Sequence, residues 1–167
     1  MGWTGQAGWG TAIYTTLYMT VISFLIGGFF GLITGLFLVL TKPGGVLENK
    51  VAFWILDKVT SVFRAIPFII LLAVLSPFSH LIVGTGIGPN AAIVPLSFAV
   101  YAFFARQVQV VLSELDGGVI EAAQASGATL WDIIGVYLIE GLPDLIRVTT
   151  VTLISLIGET AMAGAVG

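Results

Sequence analysis

The groups that could do chemistry in this chain are few and unevenly placed. Six of its nine carboxylates, Glu114, Asp116, Glu121, Asp132, Glu140 and Asp144, lie between Arg106 and Arg147, while Glu159 stands alone in an apolar run. Carboxylates can form acid–base pairs, metal sites or docking charges. No two fall on one helical face as a general acid and base would. The single histidine, His80, leaves no histidine-based zinc site, and the absence of cysteine removes disulfides, thiolate metal sites and thiol catalysis together. Gly84-Thr85-Gly86-Ile87-Gly88-Pro89 is not a phosphate loop, because no strand precedes it and no Lys-Ser or Lys-Thr follows. The chain is therefore expected to hydrolyse nothing itself, to bind no cofactor or metal, and, lacking a basic cluster, to bind no nucleic acid.

Docking remains. Glu121 to Gly127, reading E-A-A-Q-A-S-G, is a polar and small-residue island among long apolar runs. With Asp116-Gly117-Gly118 supplying a turn, Glu121 is expected in the first turn of the helix that follows, where a carboxylate contributes about 0.3–1 kcal/mol against the helix dipole without any further function. Ala122 and Ala125 share a side, and Ala122, Ser126 and Thr129 follow at four and seven, giving a narrow face of small residues. Gly127 can end the helix in a left-handed conformation, so that Thr129 to Val136 starts a second helix at a new angle. The result is a helix-turn-helix knob whose short side chains, with little rotamer entropy, suit a rigid element.

The elements that position this island belong to a membrane protein. At 167 residues, the chain has 57% hydrophobic residues, 9% charged residues and a mean hydropathy of +1.08, far from soluble averages. No basic stretch or cleavage site precedes the first apolar run, which is retained as a span. Residues 1–12, with Trp3 and Trp9, suit an interfacial lead-in. A first span is expected over about 12–40, with Gly27, Gly31 and Gly35 on one face for close packing, either inside one subunit or between two. Residues 48–64 form an amphipathic helix suited to the interface, with Ile55, Val59, Val62 and Phe63 on one side and Glu48, Lys50, Asp57, Lys58 and Arg64 on the other. A second span is expected over about 65–83, bent or kinked at Pro67 and Pro77, and a third over about 91–112. A loop of about 113–145 and a fourth span of about 146–167 complete a single all-α transmembrane domain.

Lys42, Lys50, Lys58 and Arg64 lie between the first two spans, Arg106 and Arg147 flank the acidic segment, and the second connection has no Lys or Arg. The positive-inside rule then places the E-A-A segment in the cytoplasm and the amino terminus outside. Glu159 sits where a charge costs roughly 2.5–3.5 kcal/mol unless it meets water or a partner. Together with Met162 it is a candidate for a translocation pathway; a protonated, hydrogen-bonded carboxyl or a position near the span's outer end are the alternatives. Arg64 is either an interface anchor or a contact for headgroups or a partner.

Glu121, Ala122, Ala123 and Gly127 match the E-A-A-x-x-x-G loop of the permease subunits of bacterial binding-protein-dependent ABC importers. The match departs further on, where the expected I-x-L-P positions read Tyr137-Leu138-Ile139-Glu140 and the nearest proline is Pro143. F-R-A-I-P-F-I-I-L-L at Phe63 to Leu72, I-V-G-T-x-I-G at Ile82 to Gly88, A-A-I-V-P-L at Ala91 to Leu96 and T-L-I-S-L-I-G-E-T-A-M-A-G-A-V-G at Thr152 to Gly167 resemble the permease of the methionine importers. The resemblance implies a five-helix core, four of whose helices are visible, with the last expected beyond Gly167. It implies a homodimer with two ATPase subunits carrying ATP and Mg, fed by a substrate-binding lipoprotein or periplasmic protein in the inner membrane. It also implies an ATPase-coupling role for Glu121, Ala122, Ala123, Ala125, Ser126, Gly127, Ala128 and Thr129. The expected function is import of methionine, D-methionine or close analogues included. The alternatives are a permease for another amino acid or small solute, or a stand-alone secondary transporter, for which Glu159 is the one intramembrane carboxylate and no internal repeat is evident.

Overall fold

The structure, a computed structural model, describes residues 8–166; Trp3 of the expected lead-in and Gly167 at the end of the expected fourth span lie outside them. The described chain is helical, with α1 (Trp9–Thr41), α2 (Lys50–Ala65), α3 (Phe68–Val83), α4 (Pro89–Ser113), α5 (Gly117–Ala125), α6 (Leu130–Glu140) and α7 (Leu142–Val166). Helices α1, α4 and α7 are each long and apolar enough to cross a membrane. The 33 residues of α1 reach about 50 Å, well beyond the roughly 30 Å of bilayer hydrocarbon.

Helix α4 is the hub, with α1, α2, α3 and α7 packed around it. Its buried residues Leu96, Val100, Phe104, Val108 and Leu112 recur every fourth residue and form the spine of the core. The glycines of α1 permit the closest approach. A Cβ on Gly31 would lie 3.1 Å from the Tyr101 carbonyl oxygen, and one on Gly35 would lie 2.6 Å from the Ala105 carbonyl oxygen and 2.6 Å from Val108 Cβ. One on Gly27 would collide with the Ser97 carbonyl oxygen. Of the two uses open to this stripe, the structure shows packing inside the chain. The opposite face of α1, including Leu17, Val21, Leu25 and Phe29, is exposed, as a lipid- or subunit-facing surface should be.

Over the range expected at the membrane interface, α2 runs antiparallel along α4. Arg106 donates to Asp57 Oδ1 at 2.7 Å, to Ser61 Oγ at 2.9 Å and to Gln109 Oε1, and one helical turn or two further on Phe63 stacks on Phe98 with ring centroids 5.4 Å apart. The helix expected from residue 65 begins only at Phe68. Ile66 is extended (φ −80°, ψ 120°), as a residue before proline prefers, and Pro67 stands outside the helix as the N-cap of α3. The two helices meet at 106°, and because α3 has only 16 residues, about 24 Å, the pair is long and apolar enough to cross a membrane only when taken together. Pro77 lies within α3, where it removes the N–H that would reach the Ala73 carbonyl.

Candidate functional site

The acidic segment forms two short helices joined by four residues, 126–129, and the helix ends are closed by their own hydrogen bonds. Asp116 caps α5, its Oδ1 accepting from the Gly118 N–H at 2.9 Å. The glycines expected to supply a turn are therefore the first helical residues, and Glu121 falls in the second turn, outside the first turn where a carboxylate meets the helix dipole. At the other end Gly127 takes φ +81°, its N–H donates to the Gln124 carbonyl at 3.0 Å, and the Ala128 N–H reaches back to the Ala123 carbonyl at 3.1 Å. These two bonds are a Schellman closure, which consumes carbonyls that a helix end leaves orphaned.

Thr129 then opens α6 as its N-cap. Its Oγ1 accepts from the Asp132 N–H at 3.4 Å, and Asp132 Oδ2 accepts from the Thr129 N–H at 2.8 Å and the Thr129 hydroxyl at 2.6 Å. This is a capping box with aspartate in the position glutamate or glutamine usually fills. The hydrogen bonds from the Thr129 side chain and then its backbone hold the Asp132 carboxyl below the ordinary 3.8. Thr129 thus belongs to the second helix, and the small-residue face of α5 ends at Ser126, whose Oγ donates to the Ala122 carbonyl at 2.9 Å.

Of α5 only Ile120 is buried; Glu121, Ala122, Gln124, Ala125, Ser126 and Gly127 are exposed, with Ala123 and Ala128 half-buried. Helix α6 is fixed underneath by Ile133 and Tyr137 and leaves Trp131 and Ile139 outside. Burial pushes the Tyr137 hydroxyl pKa up. Glu121, Gln124 and Lys42 share the wall of a cleft of about 220 Å³ between this knob and the end of α1. The departure from the importer pattern is absorbed at the corner into α7. Helix α6 continues to Glu140, Gly141 turns the chain tightly against Leu112, and Pro143 occupies the first turn of α7, where a missing N–H costs nothing.

The remaining candidates separate. Glu159 is half-buried on α7 and lines a cavity of about 290 Å³ together with Arg64, while Met162 is exposed and does not line it. Pro67 marks the 106° break beside that cavity; Pro77 does not break α3. Sequence reasoning missed the Asp57–Arg106 cluster. Both residues were visible as charges next to apolar runs, but 49 residues separate them and only the packing of α2 on α4 pairs them.

A boxed helix-turn-helix carried between membrane-length helices is the architecture of a membrane transport subunit. Residues 27–167 match the family described as the binding-protein-dependent transport system inner membrane component, and the chain belongs to it. It is a transport component of the inner membrane rather than a catalyst.

The chain is 47% identical over 159 residues to the probable D-methionine transport system permease protein MetI of Pasteurella multocida, covering 95% of this chain and 73% of that protein. It is 45% identical over 153 residues to the D-methionine transport system permease protein MetI of Escherichia coli, covering 91% and 70% respectively. Its fold matches a solved inward-facing conformation of the MetNI methionine ABC transporter with a TM-score of 0.90 at 45% identity, over 93% of this chain and 72% of that one.

Proposed function

We infer that this chain is the membrane-spanning permease subunit of an ATP-driven importer that moves methionine, D-methionine or close analogues included, by alternating access. The observation that carries this is the α5–α6 knob, closed by a Schellman turn on one side and a capping box on the other. A rigid exposed element can pass a partner's movement to the helices it caps; a loose one would absorb it. Glu121, Ala122, Ala123, Ala125, Ser126, Gly127, Ala128 and Thr129 form its docking surface for the ATPase.

The working assembly is a homodimer of this subunit with two ATPase subunits that hold ATP and Mg, fed by a substrate-binding lipoprotein or periplasmic protein. The distribution of Lys and Arg supports a cytoplasmic knob and an outside amino terminus. Helices α1, α4 and α7 span the membrane, with α2 and α3 as a broken fourth span. Nucleotide binding in the partner shifts the population between inward- and outward-facing arrangements of these helices.

The test is ATP-dependent uptake of labelled methionine into proteoliposomes holding this chain, its ATPase and its binding protein. Wild type accumulates methionine, and Glu121→Arg loses both uptake and co-purification of the ATPase. If Glu121→Arg leaves association and uptake intact, the coupling assignment is wrong. Uptake of a different small solute instead would move the substrate and keep the subunit assignment.

A further inference from the structure

The break between α2 and α3 faces the middle of α4 and the C-terminal part of α7 across the cavity of about 290 Å³, close to the roughly 300 Å³ at the lower end of small-molecule sites. Its lining is chemically sorted. Phe63, Phe68 and Phe103 give it three phenyl rings, Arg64 stands exposed at its edge, and Glu159 reaches it from α7. Among the described residues the ion pairs are Asp57–Arg106 and Asp144–Arg147 only, so Arg64 and Glu159 share one cavity without closing on each other. Neither has a hydrogen-bond partner among the described residues. An unpaired carboxyl half-buried in a membrane-length helix, as Glu159 is, marks a substrate path by default, and Arg64 at the cavity's edge gives it an opposite charge across the same space. Sites built where a membrane helix is interrupted are a recurrent solution for small charged solutes.

We propose that this cavity is a membrane-embedded substrate site for a zwitterionic amino acid with an apolar side chain. Arg64 receives the carboxylate in its guanidinium fork, Glu159 receives the ammonium, and Phe63, Phe68 and Phe103 enclose the side chain. The bound zwitterion supplies each charge with the partner the protein withholds, and its own charges are met without water. A singly charged solute would leave one of the two residues unpaired and an uncharged one would leave both, so the site selects for the zwitterion. The three rings give apolar contact and, for a thioether, sulfur–aromatic contact. This proposal rests on the import function above and deepens it by locating a site on the permease itself.

The experiment is equilibrium binding of radiolabelled methionine to the purified permease–ATPase complex without binding protein, run beside uptake in proteoliposomes with binding protein. The expected result is saturable binding that weakens at least about tenfold in Arg64→Gln and in Glu159→Gln, as loss of a charge-assisted contact should give. Ala99→Leu, which fills the cavity and leaves both charges, is expected to abolish binding. Methioninamide, which lacks the carboxylate, should bind wild type weakly and be indifferent to Arg64→Gln. Co-purification of each variant with the ATPase subunit and a thermal midpoint within a few degrees of wild type certify folding; a variant that loses either is replaced by Phe103→Ala, expected to weaken binding likewise. If wild type transports methionine yet the complex binds none, or the variants bind as wild type does, the cavity is not the site. If wild type transports no methionine at all, the import reading itself has failed.

Discussion

Replacing Gly127 by alanine isolates the cost of one backbone conformation in the coupling knob. Gly127 sits at φ +81° with nothing within 4 Å of where a Cβ would be, so the substitution adds no clash. What it adds is the left-handed penalty of an L-residue, about 1–2 kcal/mol. Gly135, inside α6, also has open space around a new Cβ but ordinary helical backbone, so Gly135→Ala should gain roughly 0.5–1 kcal/mol. The same chemical change thus carries opposite signs eight positions apart. If the closed knob is what the ATPase binds, Gly127→Ala weakens association of the two subunits by about 5–30-fold. Gly127→Asn, which tolerates the left-handed region better, recovers part of the loss. Titrating labelled ATPase subunit against the reconstituted permease reads all three variants. Equal affinity for wild type and Gly127→Ala, or no advantage of Asn over Ala, would refute the claim that this turn sets the docking geometry.

Other perturbations act elsewhere. Arg106→Gln leaves the Asp57 carboxylate without its ion-pair partner and should cost about 1–3 kcal/mol, seen as a lower thermal midpoint in detergent, with Asp57→Asn/Arg106→Gln recovering part of it. Gly35→Leu drives a side chain into Ala105 and Val108 on α4; overpacking of about 1–3 kcal/mol or more should appear as faster proteolysis of the α1 and α4 pair, whereas Gly44→Ala, with open space but φ +77°, should leave that packing alone. The capping box should respond to acid. Because hydrogen bonds from Thr129 depress the Asp132 pKa in the folded state, their contribution is complete above the ordinary 3.8 and is lost as pH falls through the lower native value. Hydrogen-exchange protection in the first turn of α6, corrected for intrinsic rates, should hold from pH 7 to about 4 and then drop. Asp132→Asn should abolish that pH dependence.

Much of this was legible from residue types because the bilayer and the turn chemistry act locally. Uncharged runs fixed α1 and α4 within a few residues and Gly127 marked a left-handed helix end, whereas Pro67, readable as a bend or kink inside a span from about 65, in fact separates α2 from α3. Other features depend on which helix lies beside which. The Gly27–Gly31–Gly35 stripe is equally readable as a subunit contact until α4 is seen against it. Asp57 and Arg106, or Arg64 and Glu159, come together only through packing of segments far apart in the chain. The first-turn assignment of Glu121 failed because Asp116 caps the helix itself, pulling its start back to Gly117.

If α5 carries the contact with the ATPase, the absence of cysteine makes a direct measurement of that contact possible. Ala125→Cys on the exposed end of α5 and Ile154→Cys on the exposed face of α7 each introduce one thiol into the chain. Treated with a short thiol-to-amine cross-linker in the assembled complex, Ala125→Cys is predicted to join this subunit covalently to the ATPase and Ile154→Cys to leave it free. Cross-linking of both to the same extent, or of Ile154→Cys alone, would contradict the account.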